Sequence, residues 1–366
     1  MLCPEGAPKV VPPKIEVIEK SERPKRTIRP HPHSVELVYR RSSRLSAYQI
    51  LFELGAGAYG RVYCIEKNGV KFAMKKINKA VLIKNQIDVE YLVNEKKIMR
   101  DLKSPFIVKL HESFQDNVYA YIVMDYCDGG ELLRIMRDRG PFSEAETRFY
   151  TMQIVLGLKT LHENGVMYRD LKPENILMTS QGNLKLADFG LSKFGINKAS
   201  TRCGTLIYMA PEILTGQSYN FSVDFWGLGC LVYEMLHGRN PFEVRSEFQA
   251  KVRIVEGKHF DFRSCISQPA RSLISSLLNI SPQNRLGANG VHEVMQHHFF
   301  DNLNWDDVQN FRLAPPFVPT PQGHPSKAEE NQGLLPKEKD VPTNLRIPNF
   351  TEDDETQLPK QKLDFL

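Results

Sequence analysis

Eight residues, Tyr168-Arg169-Asp170-Leu171-Lys172-Pro173-Glu174-Asn175, constrain this chain more than any other stretch. They set a carboxylate, a lysine and an amide at short fixed intervals, and the apolar run Ile176-Leu177-Met178 that follows reads as a strand. Thirteen residues beyond Asn175 stands Asp188-Phe189-Gly190, again behind an apolar run, Leu184-Lys185-Leu186-Ala187. Two acidic groups and an amide on neighbouring turns can hold magnesium, a hard ion that takes oxygen ligands. Asp170 is left to accept a proton from a hydroxyl. An arginine–aspartate pair alone would be a solvated surface ion pair. The whole octad with its downstream Asp-Phe-Gly is far more specific.

A second motif lies upstream. Ile50 to Leu54 reads as a strand and leads into Gly55-Ala56-Gly57-Ala58-Tyr59-Gly60-Arg61-Val62. A lone GxGxxG is weak, because it equally opens a dinucleotide-binding helix. Here Val62-Tyr63-Cys64-Ile65 continues as a strand, Lys67-Asn68-Gly69 makes a tight turn, and Val70 to Lys75 returns. The glycines therefore sit in a β-hairpin, where backbone amides can fold over phosphates without Cβ obstruction.

Further along, Ile87 to Leu102 has helical periodicity, and strands are expected around Ile107–Phe114 and Tyr119–Met124. From Glu131 onward the chain turns mostly helical. Ser143-Glu144-Ala145-Glu146 reads as an N-cap with an acidic first turn, opening a helix to about Asn164. His162 near its end is taken as structural. Asp224 to Leu236 is nearly apolar all round and belongs inside a lobe. His292, His297 and His298 lack the Cys or carboxylate partners that would complete a metal-ligand set.

Charge is distributed unevenly. Residues 1–47 hold ten Lys and Arg against five Glu, which accounts for the whole net charge of +5 and leaves 38 residues of each sign in the remainder. This proline-rich arm is expected to be a mostly disordered, solubilising extension rather than a nucleic-acid or lipid contact. Its Arg40-Arg41-Ser42-Ser43 is read as a serine in a basic arm, not an autophosphorylation site. The six cysteines form no CxxC pair, which argues for a reducing compartment and against a zinc site. With no signal-peptide core at the start and no apolar run of membrane-spanning length, a cytoplasmic or nuclear location is expected.

Taken together, the glycine loop, Lys75, Glu95, the octad, Asp188-Phe189-Gly190, Ala210-Pro211-Glu212 and Arg285 occur in the order found in protein kinases, and residues 48–320 resemble that family. Within it the chain is similar to the AGC group, nearest the cyclic-nucleotide-dependent catalytic domains. Tyr168 before Arg169-Asp170, Cys203-Gly204-Thr205, Arg285-Leu286-Gly287 and Asn304-Trp305 carry that likeness. The resemblance implies an α+β, bilobal fold, with a small antiparallel-sheet N-lobe and a mainly helical C-lobe. It implies a basic extension over 1–47, a catalytic domain over 48–300 and an AGC-type tail over 301–366. ATP and Mg2+ are the implied cofactors, with Gly55, Gly57, Gly60, Val62, Ala73, Lys75, Met124, Asp125, Cys127 and Leu177 about the nucleotide. Lys75 would be fixed by Glu95, Asp170 and Lys172 would serve the transfer, and Asn175 and Asp188 would hold metal. Thr201 falls at the activation-loop phosphosite, with Ser200 a competing acceptor. Glu131, Glu174, Glu234 and Thr205 would face the peptide substrate.

The implied partners are proteins with basic residues before a Ser or Thr, and an upstream activating kinase. No cyclic-nucleotide-binding segment is present, so such regulation would need a separate regulatory chain. Two departures stand out. Leu206-Ile207 replaces the usual Pro-Glu after Cys-Gly-Thr, which should weaken selection for distant basic residues. In the tail, Asn349-Phe350 resembles the segment that brings a phenylalanine to adenine, and Leu363-Asp364-Phe365-Leu366 resembles a weakened small-lobe docking motif.

Overall fold

Strand alternation builds the first lobe. β1 (Gln49–Gly57), β2 (Gly60–Lys67), β3 (Val70–Asn78), β4 (Leu110–Gln115) and β5 (Tyr119–Asp125) pair antiparallel in the order β1-β2-β3-β5-β4. The structure, a computed structural model, describes residues 42–57, 60–84, 89–194, 204–320, 342–348 and 350–351. The β2–β3 turn is Asn68-Gly69 with φ of 53° and 77°. Two positive φ values match the twist of a tight hairpin, and Asn and Gly adopt them at least cost. Side chains alternate across a strand, so β3 sends Met74 to one face and Ala73, Lys75 and Ile77 to the other. Met74 joins Tyr63, Ile65, Phe114, Tyr121 and Val123 in a buried apolar cluster on the first face. Cross-strand partners share a face, and the register Val62↔Lys75 and Ala73↔Met124 gathers these four residues on the second.

One boundary is corrected. Residues Ser43–Ala47, expected in the disordered arm, form a single 3-10 turn that lies on the sheet. Leu45 is fully buried in the first-face cluster. Arg44 and Tyr48 both reach Glu112, at 2.9 and 2.5 Å. One apolar side chain with a cluster to enter, plus two polar anchors, suffices to order five residues. Residues 1–41 of the arm lie outside the described residues, Arg40 and Arg41 included. Two helices attach to the sheet: α1 (Lys79–Lys84), which the sequence pattern did not suggest, and α2 (Glu90–Asp101), within the expected 87–102 span.

The second lobe begins with β6 (Gly130–Glu131) and α3 (Leu132–Arg139), then α4 (Glu144–Glu163) and β7 (Val166–Met167). The short strands β8 (Ile176–Met178), β9 (Leu184–Leu186) and β10 (Lys193–Phe194) follow, and then α5 (Pro211–Leu214), α6 (Ser222–His237), α7 (Glu247–Val255), α8 (Gln268–Leu277), α9 (Val291–Met295) and α10 (Trp305–Gln309). α4 opens on a full capping box: Ser143 Oγ accepts the Glu146 N–H at 3.2 Å and Glu146 accepts the Ser143 N–H at 2.8 Å. α6 runs through the middle of the lobe with every residue buried except Glu234. Gly229 lets α8 approach it, since a Cβ there would lie 2.9 Å from Leu277 and Leu278 side-chain atoms.

The tail is a strap. Residues 311–320 form no helix or strand, and Arg139 lies over the Phe317 ring at 4.2 Å. Residues 342–348 and 350–351 then run along the edge of β4. Thr343 N–H donates to Asn117 O at 2.7 Å, Lys79 Nζ to Leu345 O at 2.8 Å, Gln115 Nε2 to Ile347 O at 2.9 Å and Ser113 Oγ to Phe350 O at 2.6 Å. Ile347 and Phe350 are fully buried there. The expectation for Phe350 is therefore corrected. β4 is the edge of the sheet farthest from the β1–β2 glycine loop, and Phe350 is buried beside it, held through its carbonyl by Ser113. A buried apolar ring and four captured backbone groups outweigh the alternative placement. Asn349 and residues 363–366 lie outside the described residues.

Candidate active site

Lys75 is the point where the two lobes meet. From β3 its ammonium reaches both Glu95 oxygens on α2, at 2.7 and 3.0 Å, and Asp188 in the second lobe at 3.4 Å. Burial works against the charge, but Glu95 and then Asp188 hold the ammonium above its ordinary range. Lys75 in turn holds Asp188 below the ordinary carboxylate range, against the effect of burial. Asp188 has φ of 51°, a left-handed value that costs a non-glycine residue energy and so marks a position fixed by its surroundings. Phe189, beside it, is fully buried with its ring 5.6 Å from that of Tyr168.

The octad forms a second, tighter group. Lys172 Nζ lies 2.8 Å from Asp170 Oδ2 and donates to Thr205 Oγ1 at 2.8 Å. Asn175 Nδ2 donates to Asp170 Oδ2 at 2.7 Å and to the Asp170 carbonyl at 2.9 Å. The other carboxylate oxygen, Asp170 Oδ1, is buried and accepts no hydrogen bond from the described residues. A buried acceptor without a donor is costly.

Asp224 holds this loop in shape, a role not evident in the sequence. Its buried carboxylate accepts the backbone N–H groups of Tyr168 at 2.9 Å and Arg169 at 2.7 Å, and His162 Nε2 sits at 2.7 Å. Arg169 can thus keep its positive φ of 68°. The signal was present: a carboxylate at the head of an apolar helix needs a partner. His162 is structural as expected, through Asp224. The Arg169 side chain donates to Leu191 O at 2.6 Å and to Tyr219 Oη at 3.2 Å.

Four of the residues expected about a nucleotide fall on one face. Val62, Ala73, Lys75 and Met124 share it by register, and Leu177 alternates with buried Ile176 and Met178 and so faces away from that core. The three loop glycines differ in what requires them. A Cβ on Gly60 would lie 1.9 Å from Lys76 O, so only glycine fits against β3, whereas Gly55 and Gly57 face open space. Asp125 is committed by its side chain to His111 and Lys185 and by its backbone N–H to Lys109 O at 3.1 Å. Cys127 is buried, which pushes its thiol up to about 12 and makes it inert.

Oxygen donors suit a hard cation here. Asn175 turns its amide nitrogen to Asp170, so its Oδ1 points elsewhere, and Asp188 supplies a carboxylate. Among the described residues no three His, Cys, Asp or Glu cluster as a cage. A pair of protein oxygens completed by phosphate oxygens is how magnesium is commonly held, so the residues fit that ion.

Three carboxylates border the octad. Glu131 stands at the N-terminal cap position of α3, Glu174 lies in the 3-10 turn Pro173–Asn175 with Oε2 buried and without a donor among the described residues, and Glu234 receives the Tyr208 hydroxyl. Burial and the neighbouring Glu174 push Glu131 up. Burial, opposed by the Tyr208 hydrogen bond and reinforced by Glu174, pushes Glu234 up to about 7. Thr201, Ser200 and Cys203 lie outside the described residues.

The comparisons with known proteins agree with this geometry. The family model described as protein kinase domain matches residues 48–300. The chain is 36% identical over 288 residues to a cAMP-dependent protein kinase catalytic subunit-like protein of Caenorhabditis elegans, covering 77% of this chain and 71% of that one. It is 41% identical over 280 residues to the serine/threonine-protein kinase sck2 of Schizosaccharomyces pombe, covering 74% of this chain and 43% of that one. A probable serine/threonine-protein kinase of Dictyostelium discoideum is 39% identical, with 77% of this chain and 62% of that protein covered. The chain thus spans less than two thirds of the length of these last two relatives. No helix among the described residues is long and apolar enough to cross a membrane. By its family match and its relatives, the chain belongs to the protein kinase family, in the AGC-type serine/threonine branch.

Proposed function

We propose that the chain transfers the γ-phosphoryl group of ATP to serine or threonine hydroxyls of proteins that carry arginines before the acceptor. The observation that carries this reading is Asp170 Oδ1, a buried acceptor without a donor among the described residues, flanked by Lys172 and Asn175. A substrate hydroxyl would donate there, be oriented, and lose its proton to the carboxylate as the phosphoryl group arrives in line. Lys172 sits between Asp170 and Thr205 and would meet the charge of the transferring group. Lys75, steadied by Glu95, would grip the donor's phosphates. Asn175 and Asp188 would hold Mg2+, which when bound neutralises phosphate charge. The adenine would lie on the face of Val62, Ala73 and Met124, against the backbone of Asp125 and Cys127, with Leu177 opposite. Catalysis would then rest on positioning and charge neutralisation.

Substrate choice follows from the acidic border. Glu131, Glu174 and Glu234 would receive arginines two and three residues before the acceptor through charge-assisted, bidentate bonds. Leu206 and Met209 would favour an apolar residue just after it. The test is kcat/KM for an Arg-Arg-x-Ser-apolar peptide against one with both arginines changed to alanine. Since Glu234 titrates near 7, it binds a guanidinium fully only above that pH. The preference should therefore grow from pH 6 to pH 8, by about ten-fold at most, and the growth should vanish in Glu234→Gln. A wild-type enzyme indifferent to the arginines would refute this reading.

Regulation through Thr201 belongs to the same proposal. A phosphate there adds a charge near −2. Arg169 has part of its guanidinium uncommitted beyond Leu191 and Tyr219, and Lys193 lies on the strand that enters the loop. The added charge-assisted bonds would order the loop. Protein isolated from cells should lose activity on the order of ten-fold with Thr201→Ala. Undiminished turnover would count against it.

A further inference from the structure

Behind the inter-lobe linker, charged groups from three strands converge on one carboxylate. Asp125 ends β5, His111 lies on β4 and Lys185 on β9. His111 Nε2 sits 2.7 Å from Asp125 Oδ1, and Lys185 Nζ donates to Oδ2 at 2.8 Å. The Lys109 N–H adds a third contact, to Oδ2 at 3.2 Å, while the Asp125 N–H returns a bond to Lys109 O at 3.1 Å. Against the effect of burial, these hydrogen bonds hold the carboxylate down at about 2. The Phe72 ring packs on the imidazole with centroids 4.8 Å apart. Asp128 is the other carboxylate within electrostatic reach of the linker at Cys127.

Two of the contacts come from the sheet and one from the helical lobe. Lys185 also lies three residues before Asp188, on a strand bonded to residues 106 and 108 through Leu186, at 2.8 and 2.9 Å. The cluster therefore ties the linker peptide at residue 125 to the strand that leads to Asp188.

We infer that Lys185 and His111 are positioning residues for the nucleotide, which act through Asp125 to fix the linker backbone against which adenine would lie. The inference rests on the ATP reading above. Lys185 and His111 approach different oxygens of the carboxylate, one from each lobe, so each still holds it when the other is lost.

The experiment is calorimetric titration of the full chain with ATP and Mg2+, read as the ratio of variant to wild-type Kd. Lys185→Met should weaken binding about five-fold. Adding His111→Gln should weaken it further. Lys185→Arg should restore most of the affinity. In turnover assays Lys185→Met should raise KM for ATP while kcat at saturating ATP and KM for peptide hold. If that variant does not fold, Asp125→Asn removes the charge that both cations face and one of its two acceptor oxygens, and should weaken binding about as much as the double variant. A Lys185→Met or Asp125→Asn variant within about two-fold of wild type overturns the clamp. A wild-type chain that binds no ATP overturns the ATP reading and the clamp with it.

Discussion

Replacing Asp170 by alanine should lower kcat about 10²- to 10⁴-fold, the usual loss when a general base is removed, with Kd for ATP and Mg2+ changed less than about three-fold. The separation follows from how Asn175 is held. Its amide donates both to the Asp170 carboxylate and, at 2.9 Å, to the Asp170 main-chain carbonyl. The second bond survives the substitution, so the oxygen expected to serve the metal keeps its support. Lys75, Glu95 and Asp188 form a separate group around 2.7–3.4 Å contacts and are untouched. Lys172 loses its carboxylate at 2.8 Å but retains Thr205. Asp170→Asn keeps the side-chain bulk and should be nearly as inactive, because an amide cannot accept the hydroxyl proton. Single-turnover transfer alongside equilibrium ATP binding separates the two effects. Equal transfer by wild type and Asp170→Ala would sink the catalytic assignment, and a parallel loss of ATP binding would show that Asp170 only supports the loop.

Local features of this fold were legible because they follow from short-range rules. Asn68-Gly69 between two alternating runs could hardly be anything but a hairpin turn, and Ser143 with Glu146 marked the start of α4. The apolar α6 was readable as an interior helix, and its one residue that escapes burial, Glu234, is the one that the family likeness sets toward the peptide substrate. What stayed hidden is long-range pairing of polar groups. Periodicity says which residues are buried but not which ones meet. Asp224 meets Tyr168 and Arg169 across more than 50 residues, and Lys185 meets Asp125 across 60. Lys75 and Glu95 could be paired beforehand only through the family likeness, since a helix glutamate is ordinarily solvated. Phe350 is the instructive miss. Read with its acidic followers it suggested a nucleotide contact, but its destination was decided by Ser113, Gln115 and Lys79, which capture the strap's backbone at β4.

Arg285 and Glu212 make the second large expectation, this time on stability. Both were recognised as family positions, and the structure joins them across 73 residues. Two parallel bonds of 2.7 and 2.9 Å connect the guanidinium to the carboxylate, whose side chains are 0% and 2% exposed. The same guanidinium donates to Ser222 O at 2.9 Å and Asn279 O at 3.0 Å and lies 5.1 Å from the Trp226 ring. Removing it leaves a buried anion without its partner, so Arg285→Met should destabilise by about 3–5 kcal/mol. Against the 5–15 kcal/mol typical of a folded domain, that is enough to make expression marginal. Arg285→Lys keeps the charge but loses the planar fork, and should still cost roughly 2 kcal/mol. The pair also anchors α5, which closes the segment from Thr205 to Ala210, so activity should fall with the ordering of that segment even where some protein folds. Glu212→Leu combined with Arg285→Met removes both charges and should recover much of the loss, since a buried ion pair gains little over apolar side chains of similar volume. The measurement is a double-mutant cycle by denaturant unfolding. A single Arg285→Met within about 1 kcal/mol of wild type, or a double variant that is no better than the single, would mean the pair does not hold the lobe as its burial implies.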